Sequence, residues 1–140
     1  MRLIEGPISP AAISEIIFRG GTNTDSGAHS LFLGQVRKDL VDGKSVKAIE
    51  YSAYEEMVMM EANKILKSVM SEFTDVISIE ILHSKGFVNA GEISLAVMVT
   101  SGHREQAIRA CAKLVELIKE KLPIWKKEIL EDDSEKWKQE

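Results

Sequence analysis

The sequence contains a single cysteine and no long apolar segment, and each shortage excludes a class of protein. One cysteine, Cys111, excludes both a disulfide framework and a zinc site built from several cysteines. No apolar run approaches the roughly 18 residues that a membrane helix needs, and the amino end lacks the charged-then-apolar pattern of a signal peptide. A cytoplasmic protein that does not bind membranes is therefore expected.

An excess of positive charge is also missing. The 140 residues include 18 Lys and Arg against 22 Asp and Glu, which gives a net charge of −4. This excludes a generally basic surface of the kind that coats nucleic acid, although it leaves a local basic patch possible.

The order of the predicted elements indicates one α+β domain over residues 1–140, ending in a charged tail at 131–140 that is either surface-bound or frayed. Ser9-Pro10 opens a first helix, because Ser9 can cap it and Pro10 fits its first turn. Further helices are predicted at 54–73 and 103–122, and strands at 1–5, 28–36, 46–53, 76–83, 93–100 and 124–130. Residues 37–45 read as a mobile loop or wide hairpin, and Gly86 and Gly91 bracket a turn. We expect the helices to pack on a mixed, mainly antiparallel sheet.

Positive charge is concentrated near the third predicted helix. Seven basic residues lie between Arg104 and Lys127 against three acidic ones, and six acidic residues follow from Glu128 to Glu140. An anionic ligand would explain this distribution, whereas a solvated helix face with ordinary lysines is the alternative.

The start of that helix is a candidate anion site. Ser101-Gly102-His103-Arg104 places an imidazole and a guanidinium beside the unpaired N–H groups of a first helical turn. A capped helix with two surface side chains is the alternative.

Lys119, Lys126 and Lys127 form a second cluster, near the end of the helix. Pro123 and Trp125 can partly desolvate these lysines, as a proton-transferring or nucleophilic lysine requires. Lysines that merely complement the dipole at a helix C-terminus are the alternative.

The spacing of the two clusters indicates a dimer. Arg104 and Lys119 are 15 residues apart on one helix, hence ~22 Å along its axis. Two copies of the chain must contribute if both clusters serve one small ligand, and a symmetric dimer supplies that arrangement.

Four other residues have less distinctive patterns. Arg37 follows a strand and opens a polar loop, a common ligand position, although by itself it is interpreted as a surface arginine. Cys111 lies in the apolar stripe of the third helix and is predicted to be a small core residue. His29 and His83 lie in strand-like stretches and are interpreted as structural or surface histidines.

Six motifs in order resemble the large, catalytic subunit of molybdopterin synthase, the MoaE family. The similarity covers about residues 27 to 137, in the order and spacing of that family. The matching segments are Gly27-Ala28 with Phe32-Leu33-Gly34-Gln35-Val36-Arg37, Ile49 to Met57, His83 with Gly86, Gly91-Glu92, Ser101-Gly102-His103-Arg104, and Pro123 to Glu128.

The resemblance implies an α/β hammerhead fold and a homodimer at the centre of a heterotetramer. A small ubiquitin-like subunit would bind at each end, with its Gly-Gly tail carrying sulfur as a thiocarboxylate. The implied reaction transfers two sulfurs to cyclic pyranopterin monophosphate and gives the dithiolene of molybdopterin. Because the sulfur arrives on the partner's tail, a chain with one core cysteine suffices, and no metal or cofactor is expected.

The resemblance also implies roles for individual residues. Lys119 and Lys126 would be catalytic, through proton transfer or by holding substrate and thiocarboxylate together. The residues implied to line the substrate pocket are Gln35, Val36, Arg37, Lys127 and Glu128. His103 and Arg104 would be contributed by the dimer mate.

The chain departs from the family in two places. Ser84-Lys85 follows His83 where the family often has Arg, so Lys85 would have to substitute imperfectly. The tail reads Asp132-Asp133-Ser134, where the family more often shows Asp-Gly-Ser.

Two other functions stay open from the residues alone. One is a non-catalytic dimeric module that binds an anion or an acidic partner. The other is nucleic-acid binding, which the negative net charge and the lack of aromatic residues between His103 and Leu122 disfavour.

Overall fold

The computed structural model describes residues 1–138, which form three helices and eight strands. The helices are α1 (Pro10–Gly20), α2 (Glu55–Glu72) and α3 (Arg104–Lys121). The strands are β1 (Arg2–Glu5), β2 (Ala28–Gln35), β3 (Leu40–Val41), β4 (Lys44–Ala53), β5 (Val76–Asn89), β6 (Ile93–Ser101), β7 (Ile124–Leu130) and β8 (Glu135–Trp137). The predicted α+β order is confirmed, with β3 and β8 as additions.

The strands form one sheet in the order β2-β6-β5-β4-β7-β8, with β1 beside β5 and β3 beside β4. Only the β1–β5 pairing is parallel among the strands of residues 1–138. The prediction of a mixed, mainly antiparallel sheet is therefore confirmed.

Strand β5 is the long central element that joins the two halves of the sheet. Its first part, up to His83, pairs with β6, and its last four residues pair with β4. The turn predicted between Gly86 and Gly91 is confirmed but is shorter than expected, because Gly86 itself lies inside the strand with φ +84°. A glycine permits the local bend at which the strand changes neighbours. The chain turns after Asn89.

The segment predicted as a mobile loop or wide hairpin is a tight hairpin. Asp42 (φ 53°) and Gly43 (φ 79°) connect β3 directly to β4, and Val41 faces Lys44 across the turn. Two consecutive residues with positive φ are typical of the two-residue turn that matches the twist of antiparallel strands.

Sequence signals set the ends of the helices. The Ser9 side chain accepts a hydrogen bond from the Ala12 N–H at 3.1 Å, which confirms the predicted cap of α1. Helix α3 ends at Lys121, just before Pro123, which cannot continue a helix.

The helices cover both faces of the sheet. Helices α2 and α3 pack on one face through a core that includes Ile81 and Val97, and α1 packs on the other through Leu82 and Met98. Strand β6 is buried on both faces, as its continuous apolar sequence predicts. None of the three helices described is long and apolar enough to cross a membrane.

Of the two alternatives predicted for the tail, the surface-bound one is confirmed up to residue 138. Strand β8 pairs with β7, and ion pairs tie its turn to the β3–β4 hairpin through Lys44 with Asp132 and Lys136 with Asp42. The Lys44 ammonium holds the pKa of the Asp132 carboxyl well below its usual range. Residues 139–140 of the predicted tail lie outside the described residues.

Candidate active site

A cleft of about 340 Å³ opens between the end of β2, the strands β4–β7 and the end of α3. Its polar lining combines cationic, acidic and neutral side chains. These are Gln35, Arg37, Asp39, Tyr51, His83, Ser94, Lys119, Lys126, Glu128 and Lys138.

Lys119 and Lys126 both line this cleft. Lys119 lies in the last turn of α3, and Lys126 lies in β7, opposite Tyr51 of β4. Pro123 separates the two elements, so the chain turns back and brings two lysines seven positions apart to one cavity. Of the predicted cluster of Lys119, Lys126 and Lys127, the structure brings the first two together in the cleft.

Strand alternation separates Lys127 from its neighbours. Lys126 and Glu128 line the cleft, while Lys127 does not. The Lys127 Nζ lies 4.6 Å from the centre of the Trp137 ring and 3.5 Å from Glu135 Oε2. Because successive side chains of a strand point to opposite faces, Lys127 belongs to the other face of β7.

The end of β2 supplies three of the predicted pocket residues. Gln35, Val36 and Arg37 all line the cleft, next to a register shift between Gly34 and Gln35. Val36 is 2% exposed and its N–H donates to the Glu92 carbonyl at 3.0 Å, so it contributes a fixed wall. A wall of this kind positions the neighbouring polar side chains.

Arg37 lies at the mouth of the cleft with its side chain 83% exposed. Its Nε donates to Asp39 Oδ1 at 2.6 Å, and this hydrogen bond raises the pKa of the guanidinium. The aspartate holds the arginine at the mouth, where an anionic ligand would meet a permanently charged group.

His103 and Arg104 lie at the opposite end of α3 and do not line the cleft. The His103 N–H donates to Asp75 Oδ2 at 2.7 Å, and His103 Nδ1 lies 3.2 Å from the same oxygen. The first helical turn therefore already has an acidic neighbour, which the sequence pattern does not predict. Within one chain these two residues are separate from the lysines, as the helix length predicts.

Buried side chains form the floor of the cleft. The Tyr51 hydroxyl donates to Ser94 Oγ at 3.0 Å, and the Tyr51 and His83 rings meet edge to face with centroids 5.4 Å apart. His83 is 5% exposed, which excludes the surface interpretation. Burial, aided by the charge of Lys126, lowers the pKa of His83 to about 4 despite its hydrogen bond to the Ser84 carbonyl.

The sequence does not predict this floor or two rim residues, Asp39 and Lys138. His83 gave a signal, since it lies in a segment that resembles the family, but its strand pattern gave no reason to place it in a site. Tyr51 lies within the predicted strand 46–53 and Lys138 within the predicted tail, and neither pattern indicates a site. Nothing in the sequence singled out Ser94.

Cys111 faces the core and not the cleft. It is 4% exposed, and burial raises the pKa of its thiol, which keeps the thiol protonated and unreactive. The prediction of a small core residue is confirmed. Among residues 1–138, no group of three His, Cys, Asp or Glu side chains is arranged to hold a metal ion.

The departure after His83 lies outside the cleft. Ser84 is sealed on the face of β5 opposite His83, and its Oγ has no hydrogen-bond partner among the described residues. Lys85 bonds to Glu55 of α2 at 3.1 Å. Lys85 therefore lies away from the cleft lysines.

The arrangement suits an anion. Arg37, Lys119, Lys126 and Lys138 surround the cavity, against the acidic Asp39 and the largely buried Glu128. Ammonium groups at the wall of a partly enclosed cleft can bind phosphate and can donate protons to a leaving group.

Comparisons with known proteins agree on one family. The sequence model described as "MoaE protein" matches residues 3–121. The molybdopterin synthase catalytic subunit of Dictyostelium discoideum is 41% identical over 119 residues, which cover 84% of this chain and 75% of that protein. The subunit of the same name from Drosophila melanogaster is 34% identical over 140 residues, 99% of this chain but 37% of that protein. The chain thus spans little more than a third of the Drosophila relative.

Solved structures share the fold over the whole chain. The molybdopterin synthase crystal structure from Staphylococcus aureus has a TM-score of 0.85 and 31% identity, covering 100% of this chain and 99% of that one. A complex of subunits 1 and 2 of the molybdopterin-converting factor from Helicobacter pylori has a TM-score of 0.83, at 21% identity, over 99% of this chain and 90% of that one. The second likeness is one of fold.

Proposed function

The chain belongs to the MoaE family of molybdopterin synthase catalytic subunits, and on that basis we propose the reaction that its cleft carries out. Two sulfur atoms pass to cyclic pyranopterin monophosphate, the cyclic phosphate opens, and molybdopterin with its dithiolene forms. The observation that carries this proposal is that Lys119 and Lys126, from different elements, line one cleft together with Arg37.

Lys119 and Lys126 are the proposed catalytic residues. In this proposal both hold an anionic substrate beside a thiocarboxylate and transfer protons as oxygen is replaced by sulfur. Gln35, Val36 and Glu128 complete the proposed substrate pocket, and Arg37 at its mouth takes the phosphate. The cytoplasmic location expected from the sequence stays a prediction.

The proposed sulfur donor is the thiocarboxylated Gly-Gly tail of a small ubiquitin-like subunit. Two observations support an external donor: Cys111 is buried with a raised thiol pKa, and the relative from Helicobacter pylori is described as a complex of two subunits. The tail would enter the cleft from the side of the lysines.

The second half of the proposal is a homodimer at the centre of a heterotetramer. His103 and Arg104 lie ~22 Å along α3 from Lys119, too far to reach the same small ligand from one chain. A second copy would supply them in trans. Lys127, which lies outside the cleft of its own chain, keeps its proposed substrate role only in that assembly.

Alanine substitution of the two lysines tests the catalytic proposal. The protein is mixed with thiocarboxylated small subunit and cyclic pyranopterin monophosphate, and dithiolene formation is measured. Lys119→Ala and Lys126→Ala should each reduce turnover about 100-fold or more, because each removes a proton-transferring group. Lys121→Ala is the matched control, since Lys121 is exposed in the same helical turn but does not line the cleft.

The outcomes separate the candidate functions. Unchanged turnover in both lysine variants would reject their catalytic assignment. Tight binding of the pterin by the wild-type chain without any dithiolene would favour the non-catalytic module instead.

Mixed dimers test the sharing of residues. A chain carrying His103→Ala and Arg104→Ala is mixed with a Lys119→Ala chain under conditions that exchange subunits. Each mixed dimer should regain one working site. No recovery after proven exchange would contradict the contribution in trans.

A further inference from the structure

The cleft has a charged rim and an uncharged floor. The rim consists of the cationic side chains Arg37, Lys119, Lys126 and Lys138 together with Asp39. The floor consists of the buried, uncharged side chains Tyr51, His83 and Ser94, and the buried carboxylate of Glu128 lies at its side. An anionic group is attracted to the rim, so the floor is left for the uncharged part of a ligand.

The hydrogen bond of His83 fixes which ring nitrogen is available. His83 Nδ1 lies 2.7 Å from the carbonyl oxygen of Ser84. A carbonyl oxygen only accepts hydrogen bonds, so Nδ1 carries the proton and donates it. In a neutral imidazole the other nitrogen, Nε2, is then an acceptor with a free lone pair.

His83 Nε2 is open to the cleft. No hydrogen bond to it is formed by the residues that the structure describes. Among the side-chain nitrogen and oxygen atoms of residues 1–138, Ser84 Oγ alone has neither a hydrogen-bond partner nor contact with solvent. His83 Nε2 also has no partner in these residues, so it must retain contact with solvent. Because His83 lines the cleft, the solvent contact that Nε2 retains is contact with the cavity.

The surroundings keep this acceptor neutral and rigid. The Tyr51 ring holds the imidazole edge to face at an interplanar angle of 80°, and its own hydroxyl is tied to Ser94. With its pKa near 4 in the folded chain, the imidazole stays unprotonated at neutral pH. It therefore adds no charge beside Lys126.

We propose that His83 binds substrate directly, its Nε2 accepting a hydrogen bond from an N–H or O–H group on the uncharged part of the ligand. This rests on the proposed function, in which the ligand joins a phosphate to a heterocycle rich in N–H donors. The rim binds the phosphate, and His83 distinguishes the heterocycle from a simple anion.

Two isosteric substitutions separate this role from a structural one. His83→Gln places an amide near the position of Nε2, and His83→Asn places one near Nδ1. Binding of cyclic pyranopterin monophosphate and of inorganic phosphate is measured for both, and thermal unfolding reports the fold. The protein is used with its small subunit.

His83→Asn should weaken pterin binding about five- to tenfold, the loss expected for one hydrogen bond, and leave phosphate binding unchanged. His83→Gln should bind the pterin within about threefold of the wild type. Equal losses in both variants, or a loss only in His83→Gln accompanied by a lower melting temperature, would overturn the proposal.

A measurement on the wild-type chain tests the same proposal without relying on variants that have to fold. With ¹⁵N-labelled histidine, the chain gives signals from three imidazoles. Saturation with the pterin should move the ¹⁵N signal of His83 Nε2 in the direction expected for a nitrogen that accepts a hydrogen bond. Phosphate alone should leave this signal in place. An unmoved Nε2 signal would overturn the proposal. A wild-type chain that neither binds nor converts the pterin would instead refute the proposed function.

Discussion

Acid should destabilise the protein through His83, and the structure gives the size of the effect. Burial lowers the pKa of this imidazole from 6.5 to about 4. Below pH 6.5 the unfolded chain binds a proton that the folded chain refuses, so stability falls as the pH drops from 6.5 to 4. The full loss is about 3 kcal/mol, of which about 2 kcal/mol has occurred by pH 5.

The assay is urea unfolding of the wild type and of His83→Gln between pH 7.5 and 4.5. The difference in unfolding free energy between the two proteins should change by about 2 kcal/mol from pH 7.5 to 5, in favour of the variant. His29→Gln is the control, because His29 is exposed and its replacement removes no buried imidazole. The neighbouring charged groups, Lys119 of α3 and Lys126 and Glu128 of β7, are common to all three proteins. Parallel curves for the wild type and His83→Gln would refute the reasoning.

Three further substitutions give expected outcomes in the same unfolding assay. Cys111→Ala should lower the unfolding free energy by about 1 kcal/mol through lost packing. In the turnover assay the same variant should form dithiolene at the wild-type rate. Lost turnover in a folded variant would contradict an external sulfur donor. Gly43→Ala should lower the unfolding free energy by about 1–2 kcal/mol, because φ at this position is +79°. No atom lies within 4 Å of the added Cβ, so the cost would come from the backbone and not from a clash. An unchanged urea midpoint would argue against backbone strain. Ser84→Ala should raise the unfolding free energy by about 1 kcal/mol, since it removes a buried hydroxyl without a partner in residues 1–138, and a destabilised variant would reveal a missed hydrogen bond.

Long elements with strong local signals were predictable from the sequence. The stripe that contains Cys111 and the stop at Pro123 define α3, and Ser9 defines the start of α1. Strands β3 and β8 were missed because each has only two or three residues, too few for a period to emerge. Their stability comes from pairing with longer neighbours, which local sequence does not record.

The candidate site was predictable where its residues are close in sequence or match the family. Lys119 and Lys126 were found on both grounds. The floor was missed because it is assembled by strand pairing: Tyr51 and His83 are 32 positions apart and meet only because β4 and β5 are neighbours. Lys127 lies outside the cleft because side chains alternate along β7, and the pairing with β4 sets which of them face the cleft.

Two adjacent lysines on a single strand have a consequence for comparing this chain with its relatives. Insertion or deletion of one amino acid between Pro123 and Lys126 would rotate β7 by half a period. Lys127 or Trp125 would then occupy the cavity in place of Lys126, with almost no change in composition. The number of lysines in a related sequence therefore does not indicate whether it can act on the ligand. The length of the connection that follows α3 decides which ammonium reaches the ligand.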